Sequence, residues 1–274
     1  KYLYTYAKYH KIANKEYAYW ACLQKKDYPE ALKKWFLEMN YTHQPLDLEH
    51  PKTFSEKTQW LKLYGHLDEQ RDLVDKYKVR DWIREKVGEE YLIPLLGVWD
   101  RFDEIDFDKL PDRFVLKTNH GAGWNYIVQD KSKLDKADAK AKFDLWTKLN
   151  FTYYQGGLEL QYEHIQPKII AEQFIENDGG DLYDYKLCCF DGEPKVIIYI
   201  MNRYVDADER IICFDTDWNV LPFNLFTPLE QPDDIPRPKN LEKMVEVART
   251  LSQGIPFVRV DLYALNDGTI KLVR

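Results

Sequence analysis

The chain has 274 residues and a mass of 32.8 kDa, enough to bury a sizeable core in one large or two modest domains. Its 39 Lys and Arg against 46 Asp and Glu give a formal charge of −7, and the basic residues are scattered, which argues against a nucleic-acid partner. No apolar run approaches the ~20 residues that cross a bilayer and no signal-peptide core is present, so there is no transmembrane segment and a cytoplasmic location is expected, the inner face of the membrane included.

The first residue is Lys1 and not Met, and a further N-terminal piece is an expectation from that start. Residues 1–50 read as an N-terminal helical, tyrosine-rich accessory segment, with Tyr2, Tyr4, Tyr6, Tyr9, Tyr17 and Tyr19. Its strongest helix runs from Pro29 to Leu37, with Pro29 in the first turn and apolar positions at 32, 35, 36 and 39. The basic and aromatic residues there form a solvated face over an accessory layer, or meet a membrane surface or a partner protein. Aromatics make up 15% of the chain; most are expected in the core, although sugar-handling surfaces use the same rings.

A helical and α/β region follows over residues 51–111. From Pro51 to Val87 the pattern is helical: Thr53 or Ser55 can cap, Trp60, Leu61 and Tyr64 share a face, and Gly88 closes the second helix. Tyr91 to Val98 reads as a short strand broken by Pro94 and Gly97, and residues 100–111 as an acidic connector. Phe114–Lys117 and Tyr126–Gln129 then read as two strands joined across a loop from His120 to Asn125.

That hairpin carries the chemistry. Backbone N–H groups of small residues can face phosphate oxygens without a Cβ in the way, and a strand-end lysine supplies a charge for the same anion. It is not a P-loop, because no G-x-x-x-x-G-K-S/T occurs and Lys117 precedes the glycines. Taken alone, the same residues describe a tight turn beside a solvated lysine.

Lys133 to Leu149 reads as a charged amphipathic helix and Ile169 to Phe174 as the next strand. After Gly179–Gly180 strands dominate: Tyr185–Phe190, Lys195–Met201, Arg210–Phe214 and Val258–Tyr263, with a helix from Leu241 to Ser252 opened by Asn240 and closed by Gly254. A short turn at Asn266–Asp267–Gly268 follows the last of these strands. This order predicts an α+β protein and not a doubly wound parallel sheet. Cys22, Cys188, Cys189 and Cys213 lack metal-ligand spacing, and the adjacent pair must face opposite sides of a strand; all four read as reduced thiols.

Lys117 with its loop and the segments Pro167–Glu176, Asp184–Pro194 and Phe257–Tyr263 resemble, in order and spacing, the ATP-grasp superfamily. The blocks Pro51–Lys57, Gln59–Tyr64, Asp75–Lys76–Tyr77 with Val79–Arg80, and Tyr91–Trp99 resemble one branch of it, the TupA-like proteins of teichuronopeptide and bacterial surface polysaccharide biosynthesis; the likeness runs from Pro51 to Leu272. The resemblance implies an ATP-grasp fold of two α+β lobes with nucleotide between them, behind the N-terminal helical segment. Residues 112–176 would form lobe 1 with the phosphate loop and hinge, and residues 177–274 lobe 2 with the acceptor and metal residues.

The same resemblance implies roles. Lys117 would contact the α and β phosphates, and His120, Gly121, Ala122, Gly123 and Asn125 would belong to the mobile phosphate loop. Gln173, Phe174 and Ile175 would read the adenine edge through their backbone, Glu172 would accept from the adenine amino group, and Asp178 or Asp181 would hold the ribose. Asp184 and Lys186 fall on a D-x-R/K strand motif, with Arg203 one hairpin later; Lys186 and Arg203 would hold the γ-phosphate and the acceptor carboxylate. Asp261 would bind Mg²⁺, with Arg259 on the same strand face pairing with it or with phosphate.

The family follows this Asp with a bridging Glu and a short E-x-N/T motif, whereas here the returning strand runs Thr269 to Arg274. Arg274 occupies the glutamate position or the chain stops short of it, and this chain is expected to bind ADP or ATP with weak Mg²⁺ dependence and to turn over slowly or not at all, whereas a version extended through a following Glu is expected to be active.

The expectation is thus an ADP-forming ATP-grasp ligase, with ATP and Mg²⁺ as cofactors. It would join the carboxylate of a uronic acid, on a small molecule or glycan of a capsule-type polysaccharide, to an amino acid or amino alcohol, in company with other polysaccharide-assembly enzymes. Two alternatives remain. A glycosyltransferase-type enzyme would use a D-x-D string, for which Asp206–Ala207–Asp208 and Asp215–Thr216–Asp217 qualify, although acidic residues are common in such turns. A non-catalytic nucleotide-binding or scaffolding domain would need no complete metal site.

Overall fold

The computed structural model describes residues 15–39, 43–176, 182–201, 210–224 and 235–273, and the architecture is α+β. Tyr2, Tyr4, Tyr6 and Tyr9 of the tyrosine-rich segment lie outside the described residues. The chain divides into two units, Lys1–Val79 with Leu96–Ala171, and Arg80–Leu95 with Glu172–Arg274.

In the first unit, α1 (residues 15–22) and α2 (Tyr28–Met39) open the described chain. Leu32 and Phe36, one turn apart on α2, are buried with Trp20, Tyr28 and Leu158, as the spacing of the apolar positions predicts. For α3 (Phe54–Tyr64) the cap is Thr53: its hydroxyl accepts from the Glu56 N–H at 3.2 Å, while the Glu56 carboxylate accepts from the Thr53 N–H at 2.8 Å. The face of α3 differs from the expected one. Gln59 and Lys62 are buried, whereas Trp60 and Tyr64 are exposed and pack on each other with ring centroids 5.4 Å apart. Lys62 tolerates burial because its ammonium donates to the Gly157 carbonyl at 2.7 Å and pairs with Glu159 at 3.5 Å.

Helices α4 (Arg71–Val74) and α5 (Val79–Lys86) follow, and Gly88, with φ +111°, ends the helical stretch. The expected strand Tyr91–Val98 begins later than its apolar run suggests. Residues 89–91 form a 3₁₀ turn and β1 spans Leu95–Trp99, with Gly97 inside it. With β2 (Phe114–Thr118), β3 (Asn125–Val128) and β4 (Ile169–Gln173) it forms a four-stranded sheet of order β1-β4-β2-β3. On β2, Phe114, Leu116 and Thr118 are buried and Val115 and Lys117 are half-buried, the period-2 signature of one packed face.

The helix α6 (Lys136–Trp146) is shorter than its charged sequence implies, because Asp135 caps it, accepting from the N–H groups of Ala137 and Asp138 at 3.0 and 2.9 Å. It covers the sheet through Ala139 and Phe143. The acidic connector is no mere linker: two 3₁₀ turns set Phe102, Ile105, Phe107 and Leu110 into this same core beside Phe114 and Leu116.

The second unit is built on an antiparallel sheet of order β7-β6-β5-β8-β9, from β5 (Asp184–Phe190), β6 (Glu193–Met201), β7 (Arg210–Phe214), β8 (Phe257–Ala264) and β9 (Ile270–Leu272). Helix α7 (Leu241–Ser252) packs on one face through Leu241, Met244, Val247, Ala248 and Leu251, a helical stripe of buried residues. Cys189 turns toward α7, with its Sγ 3.9 Å from the Ala248 carbonyl, while Cys188 packs with Ile198, Ile200 and Cys213 on the opposite face. No cysteine is in a disulfide; Cys22 is exposed and the other three are buried.

Candidate active site

The hairpin of the first unit brings Lys117 and Asn125 opposite each other, since β2 and β3 pair in the register Phe114↔Val128 through Lys117↔Asn125. Lys117 is half-buried and Asn125 exposed. Between them the loop is held at several points. The Asn119 N–H donates to the Lys168 carbonyl at 3.1 Å, its side-chain amide donates to the Gln166 carbonyl at 3.0 Å, and its side-chain oxygen accepts from the Lys168 N–H at 2.7 Å.

Trp124, also buried, stacks on Trp146 at 6.5 Å and meets Phe151 and Tyr154 edge-on at 5.2 Å. Gly121 is glycine for a spatial reason: a Cβ there would lie 2.4 Å from the Trp124 ring. Gly123, with φ +73°, is glycine for a conformational one. Only Ala122 and Gly123 are exposed at the tip, and among the described residues neither of their N–H groups donates to a backbone carbonyl.

His120 points inward. Its Nε2 lies 3.1 and 3.2 Å from the carbonyls of Trp146 and Leu149 at the end of α6, and burial pulls its pKa down to about 4, so the imidazole is neutral near pH 7. Of the loop residues, His120 therefore holds the loop to α6 through its ring and is not a cation on display. Thr118 Oγ1, His120 Nδ1 and Trp124 Nε1 are buried without a hydrogen-bond partner among the described residues. Buried polar atoms are otherwise nearly always satisfied. A half-buried strand lysine beside exposed tip residues is an arrangement that can meet an anion.

Two cations that sequence reasoning quoted only within longer blocks prove structural neighbours of these elements. Lys76 donates its ammonium to the carbonyls of Thr118, at 3.1 Å, and Gly121, beneath the loop. In the second unit, Arg80 donates to the Glu172 carboxylate at 3.1 Å and to the Ile93 carbonyl at 2.7 Å. Both ends of the Arg80–Glu172 pair are buried. Gln173 donates its N–H to the Pro94 carbonyl at 3.0 Å, while Phe174 and Ile175 follow half-buried. The usable signal was charge itself: an arginine on a short helix and a glutamate within Ile169–Phe174 both need partners when buried.

The second unit also brings Lys186, Asp184, Arg259 and Asp261 together. Lys186 and Asp261 are cross-strand partners on β5 and β8, with Nζ 3.3 Å from Oδ2, and the same ammonium lies 3.2 Å from Asp184. Arg259 forks onto Asp261, with Nε 2.6 Å from Oδ1 and Nη2 2.8 Å from Oδ2. Lys186 and Asp184 are buried, and the Arg259 side chain is about half exposed. The four charges balance in pairs. The described residues alone do not make a magnesium site: both oxygens of Asp261 face cationic donors, and no group of three or more candidate ligands occurs among the described residues.

Asp178, Asp181, Arg203, the string Asp206–Asp208 and Arg274 lie outside the described residues. Asp215 of the second D-x-D string closes a turn, accepting from the N–H groups of Asp217 and Asn219 and from the Asn219 side chain at 2.8 to 2.9 Å.

The family model described as TupA-like ATPgrasp matches residues 56–270. No curated protein matches the chain. An L-amino acid ligase from Bacillus licheniformis is similar at 17% identity and a TM-score of 0.44, over 92% of this chain and 52% of that one. The ATP-grasp ligase PsnB, complexed with minimal precursor, Mg and ADP, is similar at 12% identity and a TM-score of 0.39, over 92% of this chain and 65% of that one. A D-alanine–D-alanine ligase from Bacillus anthracis complexed with ATP is similar at 16% identity and a TM-score of 0.39, over 73% and 54%. The chain thus spans about half to two thirds of the length of these solved proteins.

Proposed function

Because the chain belongs to the TupA-like ATP-grasp family, we propose that it is an ATP-dependent ligase that joins a carboxylate to an amine, with a uronic acid of a cell-surface polysaccharide or its precursor as the carboxylate. The observation that carries the reading is the β2–β3 hairpin, in which Lys117 stands on the strand that leads into a loop whose exposed residues Ala122 and Gly123 give their N–H groups to no backbone carbonyl among the described residues. A point charge beside backbone N–H donors is what a polyphosphate requires. ATP supplies the phosphoryl group: a carboxylate oxygen attacks the γ-phosphorus, ADP departs with the bridging oxygen, and the resulting acyl phosphate loses phosphate when the amine nitrogen attacks its carbonyl carbon and gives up a proton.

The chain's own groups have distinct parts in this proposal. Lys117 and the loop amides neutralise the non-transferred phosphates. Residues Glu172 to Ile175, at and beyond the end of β4, take the base; with Glu172 held by Arg80 and the Gln173 N–H given to Pro94, the remaining backbone groups do the reading. Asp178 or Asp181 takes the ribose. Lys186 and Arg203 hold the γ-phosphate and the acceptor carboxylate, and Arg259 steadies Asp261. The Mg²⁺ expectation rests on Asp261 alone, and no residue role here depends on it.

Trapping tests this directly. Incubation with ATP, glucuronate and hydroxylamine should yield a hydroxamate in step with ADP, because hydroxylamine intercepts an acyl phosphate. ATP binding without hydroxamate or ADP, across a panel of uronic acids, would replace the ligase reading with that of a nucleotide-binding domain. Selective binding of nucleotide sugars over ATP would point to a glycosyltransferase instead.

A further inference from the structure

The first unit holds a cavity of about 210 Å³ beside the C-terminus of α3, and none of its lining residues belongs to the β2–β3 hairpin, to residues 172–176 or to the Lys186 cluster. At about 30 Å³ per water this is the space of roughly seven waters, on the order of one pyranose ring. The buried part of the lining is already paired. The Lys62 ammonium is held by the Gly157 carbonyl at 2.7 Å and by Glu159 at 3.5 Å. One oxygen of the largely buried Glu163 carboxylate accepts from the Tyr153 hydroxyl at 2.9 Å, and the other lies 3.9 Å from the Lys25 ammonium.

The rim is different. Gly65 ends α3 where a Cβ would lie 2.6 Å from the Leu61 carbonyl oxygen, and His66 then takes φ +52°, a left-handed form unfavourable to a residue with a Cβ. The turn leaves the His66 and Asp68 side chains exposed and lining the cavity, and neither has a hydrogen bond or ion pair among the described residues. Tyr64 adds an exposed ring to the same lining. It packs on Trp60, itself exposed one turn earlier, with ring centroids 5.4 Å apart.

An aromatic pair left in water beside a polar cavity suits an amphipathic ligand, one face of C–H groups for the ring and a polar edge for the cavity. Charge narrows the class further. Lys25 and Lys62 balance Asp68 and Glu163, so the lining carries no excess of either sign to select an anion or a cation. It offers acceptors and donors side by side, and a hydroxyl group uses both: its hydrogen goes to Asp68 while its lone pairs accept from Lys25. We propose that this cavity binds a neutral pyranose ring, stacked on Tyr64 and hydrogen-bonded by Asp68, His66 and Lys25. The site needs no nucleotide and no ligase step, so it stands or falls separately from the function proposed above.

The experiment titrates the full chain with glucose, galactose, N-acetylglucosamine and lactose. NMR follows the backbone amides of Gly65 to Asp68 and the indole N–H of Trp60, assigned by its loss in Trp60→Phe. At least one neutral sugar should shift these signals with a dissociation constant in about the millimolar range. Tyr64→Ala and Asp68→Asn, both at exposed positions and checked for folding by circular dichroism, should each weaken that binding about 10-fold. Tyr64→Phe keeps the ring and should bind like the wild type. A chain that binds a neutral sugar here but neither ATP nor ADP keeps this site while losing the ligase reading. No shift with any of the four sugars, the same shifts from glucuronate or ethanolamine with none from a neutral sugar, or wild-type affinity in Tyr64→Ala would overturn the proposal.

Discussion

The guanidinium of Arg80 lies 3.1 Å from the carboxylate of Glu172, with both side chains almost wholly buried and 92 residues apart in the chain. Taking one partner from a buried ion pair leaves the other charged in a poor solvent, at a cost of about 3 to 5 kcal/mol. Arg80→Met is therefore expected to lower unfolding free energy by that order in a urea titration. Adding Glu172→Gln should recover much of the loss, because no unpaired charge then remains. A single variant as stable as the wild type would mean that the pair is not formed in solution.

Stability should also depend on pH through His120. Its folded pKa of about 4 lies below the ordinary value of 6.5, so the unfolded chain binds the extra proton first as pH falls. The contribution is complete above pH 6.5 and is lost as pH drops toward 4, about 3 kcal/mol in all at 1.36 kcal/mol per unit. The pH profile of unfolding free energy should be steep in that window for the wild type and flatter for His120→Asn. Equal slopes would show that His120 is not buried and neutral.

Lys117→Ala is expected to weaken ATP binding about 10- to 100-fold, the loss of one charge-assisted contact of roughly 1.5 to 3 kcal/mol. Calorimetry on the folded variant decides it. Unchanged affinity would remove Lys117 from the nucleotide site.

Lys186→Ala and Arg203→Ala are expected to behave differently, lowering kcat far more than ATP affinity, since contacts to a carboxylate becoming an acyl phosphate strengthen as the reaction proceeds. For Lys186 the background matters: the variant removes the ammonium that lies 3.2 Å from Asp184 and 3.3 Å from Asp261, so Lys186→Arg is the control for charge. Variants that lose only ATP affinity at wild-type turnover would contradict the acceptor-side roles.

What the sequence made legible was local. The β2–β3 hairpin, the strands β5 and β7 and helix α7 follow from alternation, turn glycines and helical spacing. The misses were non-local. Phe102, Ile105, Phe107 and Leu110 enter the core through short 3₁₀ turns, which leave no helical or strand period to detect. The wrong face was expected of α3 because Lys62 is buried by partners at Gly157 and Glu159, 95 and 97 positions away, which no window on the helix contains. Lys76 and Arg80 stood in quoted blocks, but their roles depend on a loop and a strand far along the chain.

The central claim, that this chain couples ATP to the joining of a carboxylate and an amine, is tested most directly by ADP release from the full chain supplied with ATP, a uronic acid and an amine, together and with each omitted in turn. The account predicts that ADP release, however slow, occurs only with both acceptors present, is matched one to one by amide product, and weakens in step with nucleotide affinity in Lys117→Ala. ADP release at the same rate without either acceptor, or none with any pair although ATP binds, would contradict it.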